Sequence, residues 1–135
     1  NYGHPDHIQV HRVGLRAAEL AGTRRVYEST IDRDAIRAMM VEARANSPEE
    51  MPDDAPDVDE MQLGVPGHLI TNRVDVRSFV DTKRKAMIAH ASQITEESFF
   101  LKMPEDSFAR AFGTECFIAR SDEARAAGDD LFAGL

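Results

Sequence analysis

Apolar positions recur along the chain in two periods, and the switch between them marks its elements. Between Pro5 and Gly22, Ile8, Leu15, Ala18 and Leu20 supply part of an apolar stripe at helical spacing, interrupted by charges that face water. Pro5 suits the first helical position, where its missing N–H costs nothing, and Gly22 suits the position just past the end. Residues 25–31 then alternate and are rich in β-formers, which predicts a strand. Asp32 or Asp34 is placed to cap a second helix through Ile36, Met39, Met40 and Ala43, which Asn46-Ser47-Pro48 ends.

After Gly64-Val65-Pro66-Gly67, residues 69–76 read as another strand, followed by a long helix through Phe79, Lys83, Met87 and Ala91. Residues 98–111 are predicted helical at least in part, 113–119 as a final strand, and the tail from Asp122 as a short helix or frayed end. Alternation of this kind predicts an α/β layer architecture in which helices flank a mainly parallel sheet. At 135 residues the chain is one domain at most, short for an enzyme that encloses its substrate, and it contains no internal repeat.

Charge changes this picture in one place. The net charge is −8, and Glu49, Glu50, Asp53, Asp54, Asp57, Asp59 and Glu60 lie in a stretch without Lys or Arg, which leaves the rest of the chain nearly neutral. With several prolines and few large apolar residues, residues 47–60 are expected to form a mobile acidic surface loop. No basic stripe suits a phosphate backbone, so nucleic-acid binding is not expected. No apolar run approaches the roughly 20 residues that span a bilayer, so no membrane association is expected either. One cysteine, Cys116, forms no internal disulfide, and cytoplasm is the default compartment. The first residues lack an initiator methionine and the regions of a signal peptide, so the sequence is expected to start within a longer protein.

The candidate chemistry is crowded into the first eleven residues, where His4, Asp6, His7 and His11 bring three of five histidines together with a carboxylate. Zinc accepts such ligands, and a hydrolytic zinc site keeps one position for a water whose pKa falls to about 7. His7 and His11, four apart, share a helix face and form a rival ligand pair; the other reading of His11 is a surface residue on a solvated turn. Residue types alone leave a metal or catalytic site in balance with helix capping and surface polarity. His90 is read as ending a helix, His68 as a loop residue, and Lys83-Arg84-Lys85 as a solvated helix face.

Tyr2-Gly3-His4-Pro5-Asp6-His7 followed by a helix resembles the second signature of the LmbE-like deacetylases, the family of GlcNAc-phosphatidylinositol de-N-acetylase and the mycothiol-pathway deacetylases. Val74-Asp75-Val76, Lys83 to Ala86, His90-Ala91-Ser92-Gln93 and Phe112-Gly113-Thr114-Glu115 resemble the family's later blocks in the same order. The resemblance implies the C-terminal portion of a Rossmann-like, LmbE-type fold and a zinc-dependent amide hydrolase acting on an N-acetylated amino sugar or related small molecule. It makes His7 a metal ligand, His4 the group that binds or protonates the reacting amide, Asp6 its orienting carboxylate and Tyr2 a stabiliser of the tetrahedral intermediate. Zinc is the default metal, with another divalent ion suited to the same ligands.

The family's first signature, an AHPDDE-like segment that supplies the other zinc ligands and the general base, is absent from this sequence. The implied partner is therefore an N-terminal half of the same protein, without which the chain is expected to be inactive. The competing expectation is a non-catalytic binding or oligomerisation module with exposed histidines. A third assigns His4, His7 and His11 to a metal site between chains. Uncovered apolar surface is further expected to drive self-association into a homo-oligomer.

Overall fold

Pro5 and Gly22 bound the first helix as expected. The computed structural model describes residues 4–46, 63–95 and 98–133, so the acidic stretch 47–60 lies outside the described residues. Helix α1 runs Pro5–Ala21 and stops at Gly22, whose φ of 64° is left-handed and whose N–H reaches back to Ala18 and Glu19. Strand β1 is Tyr27–Thr30. Helix α2, Arg33–Asn46, is capped by Asp32 rather than Asp34: its Oδ1 accepts the N–H groups of Asp34 and Ala35, both at 3.1 Å.

A 3-10 turn at Gly67–Leu69 leads into β2, Asn72–Asp75, and a second at Arg77–Phe79 leads into α3, Val80–Ala89. The helical stretch expected over 98–111 is split by Pro104 into α4, Phe99–Lys102, and α5, Glu105–Phe112. Strand β3, Thr114–Ala119, and the short α6, Asp122–Ala126, complete the order.

The sheet corrects the expectation of a mainly parallel arrangement. Its order is β1-β3-β2, with β1 antiparallel to β3 from Tyr27↔Ala119 to Thr30↔Cys116. Along β2 the partners also run backwards, since Thr71 N–H donates to Phe117 and Val76 N–H to Gly113. Helix–strand alternation correctly makes β1 and β2 point the same way. The last strand then enters between them from the opposite direction, so every neighbouring pair of the described sheet is antiparallel. The parallel pairing among the described residues is a single bridge, Asp32↔Val65. It is closed by Arg33 N–H on Val65 and Val65 N–H on Ile31, and it needs Gly64, whose φ is +67° and where a Cβ would meet Ile31 O at 2.2 Å. Architecture is thus mixed α/β with a small antiparallel sheet.

The chain divides into two compact units, Asn1–Arg73 with Cys116–Leu135, and Val74–Glu115. In the first, Ile70, Cys116, Ala119 and Ala124 are buried beside Thr30 and Asn72. Asn72 is 1% exposed; its amide donates to Gly128 O, and the neighbouring Arg73 N–H donates to Asp129 Oδ1 at 2.8 Å, which pins the C-terminal segment to β2. Burial pushes the Asp32 carboxyl up, but Arg73 at 2.9 Å and the N–H groups of Ala35 and Asp34 outweigh it and leave the group below its ordinary value.

In the second unit the expected solvated face of α3 is overturned. Val80, Lys83, Arg84 and Met87 form its half-buried side, and two of them are cations. Lys83 Nζ donates to Phe112 O at 2.7 Å and sits 2.7 Å from Glu115, while Arg84 donates to Leu101 O at 3.1 Å and to Met103 O. Each cation meets carbonyls at the end of a helix, Lys83 at α5 and Arg84 at α4, where unpaired C=O groups concentrate negative charge. Lys85 stays exposed.

Asp75 and Arg77 add an acid-sensitive contact to this unit. Hydrogen bonds from the Arg77 side chain and then from its N–H hold the Asp75 carboxyl down at about 2, against an ordinary 3.8. A depressed carboxyl stabilises the fold fully above its unfolded pKa and loses that contribution as pH falls through the folded one. Thermal midpoints measured from pH 5 downward should therefore fall more steeply between 3.8 and about 2 in the native chain than in Asp75→Asn. Identical acid limbs would remove this contact from the stability account.

Candidate active site

The first turn of α1 gathers the candidate residues. His4 is the N-cap, with extended backbone at φ −64° and ψ 128°, and its Nδ1 accepts the Asp6 N–H at 3.2 Å. An imidazole thus does here what a Ser or Asp side chain commonly does at a helix start. With Nδ1 accepting the Asp6 N–H, the ring nitrogen left to donate is Nε2.

Asp6 meets His4 through its main-chain N–H. Its carboxylate is 4.0 Å from His4 Nδ1, beyond hydrogen-bond range, and 86% exposed. His7 follows in the same turn, with ring centroid 5.3 Å from that of His4 and the planes tilted by 52°. Tyr2 lies outside the described residues. Among the described residues, no three His, Cys, Asp or Glu side chains come together in a way that could hold a metal ion. The donor chemistry of His7 fits one position of a zinc shell, but the described side chains do not complete one.

His11 turns to a different task. Its Nδ1 lies 2.6 Å from Glu28 Oε1, on a β1 side chain only 15% exposed, while Arg120, just past β3, grips Oε2 of the same carboxylate. This clamp ties α1 to the strands. Glu28 and Arg120 escaped the sequence reading because nothing in the spacing of residues 11, 28 and 120 shows that they converge; the available signal was an acidic residue within an otherwise β-forming run. We expect Glu28→Gln to lower stability by about 1.5–3 kcal/mol in urea denaturation, the range for a hydrogen bond to a charged group such as the one from Arg120. A loss below a few tenths would make the clamp incidental. His90 is the C-cap of α3, as expected, and His68 sits in the 3-10 turn before β2.

Comparison with known proteins places this turn in context. The chain is 36% identical over 140 residues to the 1D-myo-inositol 2-acetamido-2-deoxy-alpha-D-glucopyranoside deacetylase of Acidothermus cellulolyticus, covering 99% of this chain and 48% of the relative. It is 37% identical over 151 residues to the deacetylase of the same name from Geodermatophilus obscurus, covering 99% of this chain and 51% of that protein. By sequence, this chain is a relative of the LmbE-like de-N-acetylases. Deacetylase 1 of the same name from Frankia alni is 32% identical, over 100% of this chain and 53% of its own length. The chain spans about half the length of the curated relatives it matches. No protein-family model matches it, and no solved structure matches it significantly. No helix among the described residues is long and apolar enough to cross a membrane.

Proposed function

We propose that this LmbE-like chain carries one wall of the active site of a cytoplasmic de-N-acetylase with a Rossmann-like, LmbE-type fold. The reaction is hydrolysis of an N-acetyl amide on an amino sugar, of the kind that the relatives' names describe as a 2-acetamido-2-deoxy-glucopyranosyl inositol. Water adds to the carbonyl carbon, the C–N bond breaks, acetate leaves and the amine takes up a proton. His4, with its N–H at Nε2, faces the amide as the donor that meets charge developing on oxygen and returns a proton to nitrogen. Tyr2 is assigned as a second donor. Asp6 holds His4 by its backbone N–H.

His7 is assigned as one ligand of a divalent ion, zinc by family default, whose remaining ligands and general base come from polypeptide outside this sequence. When bound, such an ion supplies Lewis acidity at the carbonyl. The observation that carries the proposal is the His4 N-cap bond at 3.2 Å, because it commits one ring nitrogen and directs the proton to the other.

The test replaces the matching stretch of the Acidothermus cellulolyticus deacetylase with these 135 residues and measures acetate release from its N-acetylated substrate. The chimera should hydrolyse the amide, and the 135-residue chain alone, loaded with zinc, should not. A folded, zinc-loaded chimera that releases no acetate would overturn the assignment; turnover by the chain alone would overturn the shared site.

A further inference from the structure

Helix α1 is a two-sided element. Leu15 and Ala18 are half-buried and His11 meets Glu28, so one side faces the body of its own unit. On the other side Val10, Val13, Gly14, Ala17, Leu20 and Ala21 recur at intervals of three and four, the spacing of one helical face. All six are exposed, Val10 and Leu20 at 71% and Val13 at 65%, and none of the seventeen residues of α1 is buried.

Gly14 carries the argument further. It lies mid-helix, where glycine is less stable than alanine by about 0.5–1 kcal/mol. A Cβ built on it meets nothing within 4 Å. Nothing among the described residues therefore explains the absence of a side chain, whereas a second backbone passing close by would. Gly14, Ala17 and Ala21 form the shallow floor such an approach needs, with Val10, Val13 and Leu20 as its apolar walls.

We propose that this face is the seat of the rest of the deacetylase fold, the polypeptide that the relatives carry outside the matched stretch. The identity of the occupant rests on the functional reading above; the existence of the seat does not. Two observations select this occupant over a second copy. The relatives have about twice the matched length. The turn bearing His4 and His7 lacks a complete metal-binding group among the described residues, and it opens this same helix. One added body thus covers the stripe and reaches the site at its N-terminal end.

The experiment uses two substitutions in two settings, the 135-residue chain and the chimera with the Acidothermus cellulolyticus relative, both without metal. Gly14→Leu should raise the thermal midpoint of the chain alone by a few degrees, because space is open and helix propensity improves, and should lower that of the chimera by about 5 °C or more. Val13→Lys with Leu20→Lys should leave the chain's midpoint unchanged and lower the chimera's by about 10 °C or more. Midpoints unmoved in the chimera would overturn the seat. So would a chimera that does not melt cooperatively, or a discrete dimer of the chain in sedimentation that the lysines dissolve, the latter assigning the face to a second copy. Melting without metal is independent of acetate release, so failure here and failure of the functional assignment read out separately.

Discussion

Phe108→Ala should unfold the smaller unit more readily than any other single apolar truncation within it, with a loss of about 3–5 kcal/mol in urea denaturation. Phe108 is 2% exposed and is the largest fully buried side chain among the described residues. Its ring lies 4.6 Å from Phe112, centroid to centroid, and the Arg84 guanidinium stands 4.7 Å above it. Removing it opens a cavity under a cation that still has to reach Leu101 O and Met103 O, so the lost dispersion is compounded by looser hydrogen bonds at the end of α4. Phe108→Leu, which refills most of the volume, should lose less than half as much. A loss below about 1 kcal/mol for the alanine would mean that the site collapses freely and that the aromatic pair is not the centre of this unit.

The same cluster shows where sequence stops being informative. Lys83 and Arg84 look like parts of a solvated face because three consecutive cations define no inward direction. Their role follows from which carbonyls end up opposite α3, and those belong to Leu101, Met103 and Phe112, far along the chain. Elements bounded by local chemistry were legible to within a few residues: α1 between Pro5 and Gly22, and α2 after Asp32 or Asp34; the break at Pro104 inside the helical stretch comes from the structure. The direction of β3 was not. Alternation tells how each strand leaves its helix, but the insertion of β3 between β1 and β2 is a long-range pairing with no local signature. In the candidate site, residue types and the N-terminal cap were readable, whereas the convergence of His11, Glu28 and Arg120 depends on the fold.

On the proposed ligand role of His7, His7→Ala made in the chimera should lower kcat/KM by about a thousandfold or more and abolish stoichiometric metal after gel filtration, because loss of one imidazole from a small ligand set breaks a unit whose members act together. The substitution should not unfold the helix: His7 is exposed, and Pro5 and the His4 cap remain in place to start α1. Helical circular dichroism should therefore match the parent, separating lost chemistry from lost structure. His11 provides the contrast. It is equally a histidine on α1, but its Nδ1 is engaged by Glu28 at 2.6 Å, so His11→Ala should lower stability modestly and leave metal content unchanged. The two variants thus divide the rival ligand pair. If His7→Ala retained its metal and turned over within about threefold of the parent, or if His11→Ala lost the metal instead, the ligand would lie one turn further along α1, and the donor role of His4 would have to be rebuilt around a different centre.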